Sequence, residues 1–464
     1  MALQNAISRG HRSRSPPTST EHPEGPLESY EAWLIARGVT WDARLRLQRD
    51  DLTGWGLSCT RRIERNEKLA EVPRSAALTS SARIDALGRS VMELLRGKLD
   101  DLAGFDETRD SQLPLALAFM LADESWSPKL RQVTPQHCDL AWNWTSAKAP
   151  ALLSGTELEK IVLAKQRRVQ EEFHRLEPIL GPHRSLEQYT SACAVIMSRI
   201  QPWWGGSLVP FVDQANHHRE PHLEFRLRRG QVSARALRVI EPGEVFQSYG
   251  ELSTADSLYR YGFTEPAGRA ADIGVSFADV VTIDASALAA AEEHLAERAE
   301  QLKALEFLEE SPWDGLQDLG VELSLSRRPK AAAGGIKGLR RLWAICSCAM
   351  LNDTIWREAL ATAKPKEALV ALGASPKPGV DWQPDSSALK LCIRALEARS
   401  RRLGSVEEEE RSYDVAVKDQ VETIHLGLQR LRVVEARLLE RVLHYVRGLV
   451  HAQAGEARFG APHR

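Results

Sequence analysis

The chain has 464 residues, is 43% hydrophobic and 27% charged, and carries a formal net charge of −2. That is an ordinary soluble profile, long enough for two or three domains with real cores, and it gives no global attraction to nucleic acid or membrane. The six cysteines are scattered without a CxxC, which argues against a zinc ribbon or disulfide framework and fits a reducing compartment.

The first twenty residues carry Arg9, Arg12 and Arg14 and no acid. They read either as a short organelle transit peptide or as a disordered arginine/serine tail. LESYEAWLIARG puts Tyr30, Trp33 and Leu34 on one helical face, with Gly38 as a stop. GWGLSCTRRIERNEKLAEVP (54–73) reads as a β-hairpin turning at Asn66.

Residues 80–190 read as a helical insert: SARIDALGRSVMELLRG, LPLALAFMLADES, then GTELEKIVLAKQRRVQEEFHRLEPIL. LPLALAFMLA (113–122) is too short to span a membrane. Strands return over 207–249, with a hairpin around Arg229-Gly230. Ile63-Glu64-Arg65-Asn66-Glu67 and Ile240-Glu241-Pro242-Gly243-Glu244 share one turn pattern, each with Asn or Gly where φ > 0 is needed.

From Ser286 the chain turns helical again. Val417, Val421, Ile424, Leu428, Leu431, Leu438 and Val442 predict one amphipathic helix about seven turns long. The acidic run 407–410 just before it reads as a solvated loop or a helix start. KPKEALVALGASPKPGV (364–380) contains loop punctuation.

The candidate chemistry sits in four places. Gly54-Trp55-Gly56 lacks the third glycine and following helix of a dinucleotide fingerprint. It is either a close approach of backbone to a ligand or a plain tight turn. VPFVDQANHHREPH (209–222) gathers Asp213, Asn216, His217, His218, Glu220 and His222. His218 and His222 have a metal-ligand spacing for a helix, but Pro221 opposes a helix there and no clean partner is near, so no metal is expected. Arg199 would need an anionic partner if buried. Tyr249 ends a strand, where packing is the commoner role.

In order, GWG followed by a hairpin ending in VP, then SRI, VPFVDQANHH, EPGEVFQSYG and SLYRYGF resemble the SET-domain methyltransferases. The subclass is the one typified by the Rubisco large-subunit lysine methyltransferase, whose architecture actin-histidine and ribosomal-protein methyltransferases share. The resemblance covers roughly 28–265 and extends loosely to 455.

It implies an α+β fold: a leader (1–26), a split β-rich SET domain (27–265, helical insert about 80–190), a connecting segment (266–285), an all-α substrate-binding domain (286–455) and a tail (456–464). It implies S-adenosyl-L-methionine as cofactor, contacted by Gly54, Trp55, Gly56, Arg199, Asn216 and His217. Asp213, Tyr261 and Phe263 would face the substrate, and Tyr249 would be catalytic. His218 stands where a small hydroxyl residue is common, Thr254 where Asn is common, and Asn66 replaces a usual Gly. These departures put fine substrate specificity in doubt more than activity.

The expected activity is methyl transfer to a lysine nitrogen of a non-histone protein. A histidine acceptor and a catalytically silent partner-binding scaffold are the alternatives. The expectation is a monomer acting on a protein, with no nucleic-acid or membrane partner, in the cytoplasm or nucleus, or in a plastid if the leader is a transit peptide.

Overall fold

The computed structural model describes residues 26–50, 54–83, 90–91, 93, 112–122, 138–180, 183–264, 267–291, 298–305, 309–310, 319–327, 335–372 and 385–459. The leader, most of SARIDALGRSVMELLRG, the end of the 364–380 stretch and residues 460–464 lie outside them. The chain divides into two compact units: 1–139 with 169–251, and 140–168 with 252–464.

The first unit is built on three small antiparallel sheets. Helix α1 (Pro26–Ala36) comes first and buries Tyr30 and Leu34 completely. Gly38, at φ +83°, turns the chain out of it. Strands β1 (Thr40–Trp41), β2 (Leu45–Asp50), β3 (Gly54–Cys59), β4 (Lys68–Pro73) and β5 (Leu78–Thr79) follow.

The hairpin expected over 54–73 does not form. β3 pairs with β2, while β4 pairs with β1, so the two halves enter different sheets. The physical reason lies in the echoed turns. Ile63 and Ile240 exchange both backbone hydrogen bonds at 3.0 Å, so each turn pairs with the other rather than closing a local loop. Asn66 at φ +68° and Gly243 at φ +144° occupy the positions expected to need positive φ.

Helices α2 (Gln112–Leu121), α3 (Leu158–Leu180) and α4 (Leu186–Arg199) supply the helical part of the chain between the β segments. Ser185 and Gln188 form a reciprocal capping box at the start of α4, worth about 1 kcal/mol. The helical stretch therefore runs past 190 to Arg199.

After β6 (Ser207–Leu208), strands β7 (Leu223–Arg228) and β8 (Gln231–Ala236) form the expected hairpin. Arg229 at φ +51° and Gly230 at φ +77° give the two left-handed residues that a tight hairpin needs. β9 (Gly243–Val245) adds to β3, giving the sheet orders β1-β4-β8-β7, β2-β3-β9 and β5-β6. The core of the unit is apolar and includes Leu45, Leu57, Ile63, Leu69, Val72, Phe211, Val212, Ile240 and Val245, each at most 5% exposed.

The second unit is mainly helical. Its helices include α5 (Thr254–Tyr261), α6 (Ala285–Ala291), α7 (Leu339–Ala349), α8 (Ser386–Leu403), α9 (Val406–Lys418) and α10 (Thr423–Phe459). The all-helical reading of this region needs an amendment. β10 (Val280–Asp284), β11 (Glu309–Glu310), β12 (Leu319–Leu325) and β13 (Ile336–Lys337) form an antiparallel sheet. β10 falls in what the sequence suggested was a connecting segment. Its Val281 and Ile283 alternate with half-buried neighbours and enter the helical core.

Val417 does not share a helix with Leu428. The chain breaks after Lys418, and Gln420 sits at φ +50° before α10 begins. The acidic run is the first turn of α9, capped by Ser405, where carboxylates meet the positive end of the helix. Arg432 of α10 grips Glu409 there, and Arg437 pairs with Glu410.

An ion pair lies deeply buried in this unit. Arg399 donates to Glu435 at 2.8 Å, with 2% and 1% of the two side chains exposed, and the Glu157 N–H donates to the same carboxylate at 2.8 Å. Burial pushes the Glu435 carboxyl up to about 7, against the pull of Arg399. Among the described residues no helix is long and apolar enough to cross a membrane.

Candidate active site

The candidate site lies in the first unit and starts from a strand that runs out of partners. β3 pairs with β9 only from Cys59↔Gly243 to Leu57↔Val245. The next residue, Gly56, has no rung on that side. Its missing side chain leaves a notch: a Cβ there would lie 3.1 Å from Asn216 Nδ2 and 3.4 Å from Glu244 Oε1. The Asn216 amide fills this space and donates to Glu244 Oε1 at 2.9 Å. Gly54 opens the strand at φ +75°, where a side chain would be strained. Trp55, between them, packs half-buried on the core.

The segment 209–217 is bent into the core before it reaches this notch. Phe211, buried, adopts φ +73° and starts a single 3-10 turn over Val212–Gln214. A bulky residue held there is strain that surrounding packing must maintain. Gln247 maintains it: its buried Nε2 donates to the carbonyls of Val212 at 3.0 Å and Ala215 at 2.9 Å. Gln247 also runs parallel to His217. Its N–H donates to the Asn216 carbonyl at 2.8 Å, and its carbonyl accepts from the His218 N–H at 2.9 Å.

Tyr249 follows two residues later. Its N–H donates to His217 Nδ1 at 3.0 Å, and the two rings stack with centroids 5.2 Å apart. Its hydroxyl donates to the Ala215 carbonyl at 3.1 Å. The proton direction is thereby fixed, and the phenolic oxygen keeps acceptor capacity for an incoming N–H.

Arg199, at the end of α4, donates through Nη1 to the Asp213 carbonyl at 2.8 Å and to Oδ2 at 3.3 Å. Gln214 Nε2 donates to the other carboxylate oxygen at 2.9 Å. Burial raises the Asp213 carboxyl above its usual range, and the Arg199 charge opposes that. The Asp213 side chain is only 1% exposed. A substrate-facing acid was expected at Asp213. It is instead a buried partner of Arg199, because the 3-10 turn points its carboxylate inward. Tyr30, fully buried, lies near this pair, and burial followed by the Asp213 charge raises its phenol.

The remaining histidines serve the loop. His218 Nδ1 accepts from the Glu220 N–H at 3.0 Å, and its ring packs on Phe246. His222 Nδ1 accepts from the Phe246 N–H at 3.3 Å. The segment is not helical, so the i,i+4 spacing does not bring these rings to one helix face.

The structure thus brings Gly54, Trp55, Gly56, Arg199, Asp213, Asn216, His217 and Tyr249 into one unit. Tyr261 and Phe263 belong to the second unit, with ring centroids 6.0 Å apart across the left-handed Gly262. Sequence reasoning missed Gln247 and Glu244. The signal for Gln247 was a polar residue inside the apolar run VFQSY, which a buried strand tolerates only with hydrogen-bond partners.

No family model matches this chain. The chain is similar to N-lysine methyltransferase SETD6 of Bos taurus, 26% identical over 278 residues, covering 54% of this chain and 59% of that protein. The Xenopus laevis SETD6 protein is 24% identical over 324 residues, covering 61% of this chain and 66% of its own length. The chain thus spans about three-fifths of the length of the relatives it matches. Its fold is similar to Rubisco LSMT bound to AdoMet, with a TM-score of 0.66 at 15% identity over 92% of this chain and 93% of the other. It is also similar to the LSMT SET domain bound to MeLysine and AdoHcy, with a TM-score of 0.65 at 15% identity, covering 92% of each. With its strand pairs split around helices and its helix-rich C-terminal unit, the chain shares the fold of these Rubisco LSMT structures.

Proposed function

We propose that the protein is an S-adenosylmethionine-dependent methyltransferase that transfers a methyl group to a lysine side-chain nitrogen of a non-histone protein. The observation that carries this reading is the tyrosine arrangement. Tyr249 is fixed at its hydroxyl by Ala215 and at its backbone by His217, beside the notch of Gly56 and Asn216. SETD6 relatives named as N-lysine methyltransferases support the same reaction class.

The residues fit the cofactor by shape. Gly54, at φ +75°, disfavours a side chain by strain, and at Gly56 a Cβ would press on Asn216 Nδ2, so both positions keep bare backbone of the kind a closely approaching adenosyl ligand needs. Gly54, Trp55, Gly56 and the backbone of Asn216 and His217 would hold it. Arg199 would act through the backbone at Asp213 that it fixes. Bound there, the cofactor supplies an electrophilic methyl group on a sulfonium. Tyr249 accepts a hydrogen bond from the target amine and directs its lone pair, and alignment of this kind supplies much of the rate. The amine must arrive neutral, and burial lowers a lysine pKa.

The second unit holds the protein substrate in this proposal. The cytoplasm or nucleus is the setting, supported by six free thiols, a pattern of reducing compartments. The deciding experiment incubates the protein with isotopically labelled S-adenosylmethionine and cell extract, then maps modified residues by mass spectrometry. Label on protein lysines supports the proposal. Label confined to histidines, or none with a Tyr249-dependent signal, defeats it.

A further inference from the structure

Strand β7 is the last in the order β1-β4-β8-β7, so one of its edges has no strand beside it. The two-residue turn Arg229-Gly230 makes Arg228↔Gln231 the closing pair of the hairpin, with both backbone hydrogen bonds exchanged. Such pairs alternate along an antiparallel ladder, so Arg226 and Glu224 also bond to β8. Leu223, Phe225 and Leu227 therefore turn their N–H and C=O groups to the outer edge. In keeping with this, the Leu223 N–H donates to the Phe246 carbonyl at 3.0 Å. Among the described residues, nothing takes the outward groups of Phe225 and Leu227.

This edge lacks the usual protection of an exposed strand. It has no proline and no bulge, and its register with β8 is unbroken. Edge strand β2, of the same length, differs: Arg46 Nη1 closes the Leu45 carbonyl at 2.9 Å, and Leu45 and Leu47 are buried. On β7 the apolar face runs out to the edge. Leu223 is 2% exposed, Phe225 is half-buried and Leu227 is 42% exposed. The opposite face is cationic. Arg226 and Arg228 are exposed on it, with Arg229 exposed in the turn beside them. Glu224 pairs with Arg226, whereas Arg228 and Arg229 form no ion pair among the described residues.

We propose that the β7 edge docks an extended segment of a partner protein in which apolar residues alternate with acidic ones. The segment joins the sheet as a further strand, its backbone pairing with the outward groups of Phe225 and Leu227. Its apolar side chains lie against Phe225 and Leu227, and its carboxylates face Arg226 and Arg228. A second copy of this chain fits badly, since two β7 edges would set these arginines against each other. The assignment is independent of the methyltransferase reading.

Fluorescence anisotropy and amide hydrogen exchange on the full chain test it. The probe is a capped, labelled peptide of alternating glutamate and valine, about six residues long, the length of one strand. It should bind and slow exchange at the Phe225 and Leu227 amides. Leu227→Pro removes an outward N–H without breaking a rung to β8, a change that an edge strand tolerates. Binding should weaken about tenfold. Arg228→Glu, a surface change that keeps the test available if the proline variant does not fold, should weaken binding about fivefold and favour the matching lysine–valine peptide. No binding by the wild-type chain, equal affinity for the lysine–valine peptide, or protection of other amides instead overturns the proposal. So does binding that neither variant weakens. Protection of Phe225 and Leu227 that rises with protein concentration in the absence of peptide would assign the edge to a second copy and overturn it as well.

Discussion

Tyr249 is held to His217 twice, by an N–H···Nδ1 hydrogen bond of 3.0 Å and by ring stacking at 5.2 Å. His217 is in turn fixed in parallel register with Gln247. His217, expected from the sequence as a cofactor contact, is thus also a support for the tyrosine. His217→Ala should lower kcat with little change in cofactor affinity measured by calorimetry. His217→Asn, whose Oδ1 can replace Nδ1 as acceptor, should recover part of the loss. Equal activity in wild type and His217→Ala would remove this role.

Tyr249→Phe deletes the hydroxyl that Ala215 orients. A misaligned amine costs about 10²-fold in rate. Turnover should fall on that scale while cofactor affinity stays near wild type. Methylation at the wild-type rate in a single-turnover assay would show that the hydroxyl does not direct the acceptor.

Arg199→Met leaves the Asp213 carboxylate buried without its cation. Breaking a buried pair on one side costs about 3 kcal/mol or more. Burial already raises the Asp213 carboxyl, and removing the Arg199 charge that opposes this would raise it further. The loss of stability in the variant should therefore grow as pH rises through that carboxyl's titration and shrink in acid. Denaturant unfolding of both proteins across the pH range checks this. A pH-independent difference would count against the charge as the cause.

Glu435 predicts a second pH dependence. Its folded value is raised to about 7, above the usual carboxylate range, chiefly by burial. Its contribution to stability is full below the unfolded value and is lost as pH rises through about 7. The total is on the order of 3 kcal/mol. Glu435→Gln should flatten this slope between about pH 4.5 and 7. An unchanged slope in the variant would assign it to other groups.

Gly155 should not tolerate a side chain. It adopts φ +74°, and a Cβ would lie 2.1 Å from the Arg402 carbonyl oxygen. That contact is to backbone and cannot swing aside. Gly155→Ala should destabilise the second unit by about 2 kcal/mol or more, read as a lowered unfolding midpoint. A midpoint equal to wild type would mean the helix ends can separate there at no cost.

Local chemistry was legible where a residue's own backbone or near neighbours decide the outcome. The α1 helix and its Gly38 stop, the Arg229-Gly230 hairpin, and positive φ at Asn66 and Gly243 all follow from short-range sterics. The order of motifs pointed to the fold, because five short segments in one sequence constrain it more than any segment alone. The expected hairpin at 54–73 failed because strand pairing is set by partners far along the chain. β3 closes on Gly243–Val245 and β4 on Gln231–Ala236, and nothing within 54–73 records that choice.

The sequence by itself singled out candidate residues: the glycines at 54 and 56, Asn216-His217, Arg199 and Tyr249. Only the tertiary structure decided where each side chain points. It turned Asp213 inward to Arg199, spent His218 and His222 on the loop, and made Gln247 the brace of the strained turn at Phe211. The physical reason is that a side chain's direction depends on backbone supports that arrive from distant segments. Composition and spacing record the groups available, whereas burial and hydrogen-bond partners exist only once those segments meet.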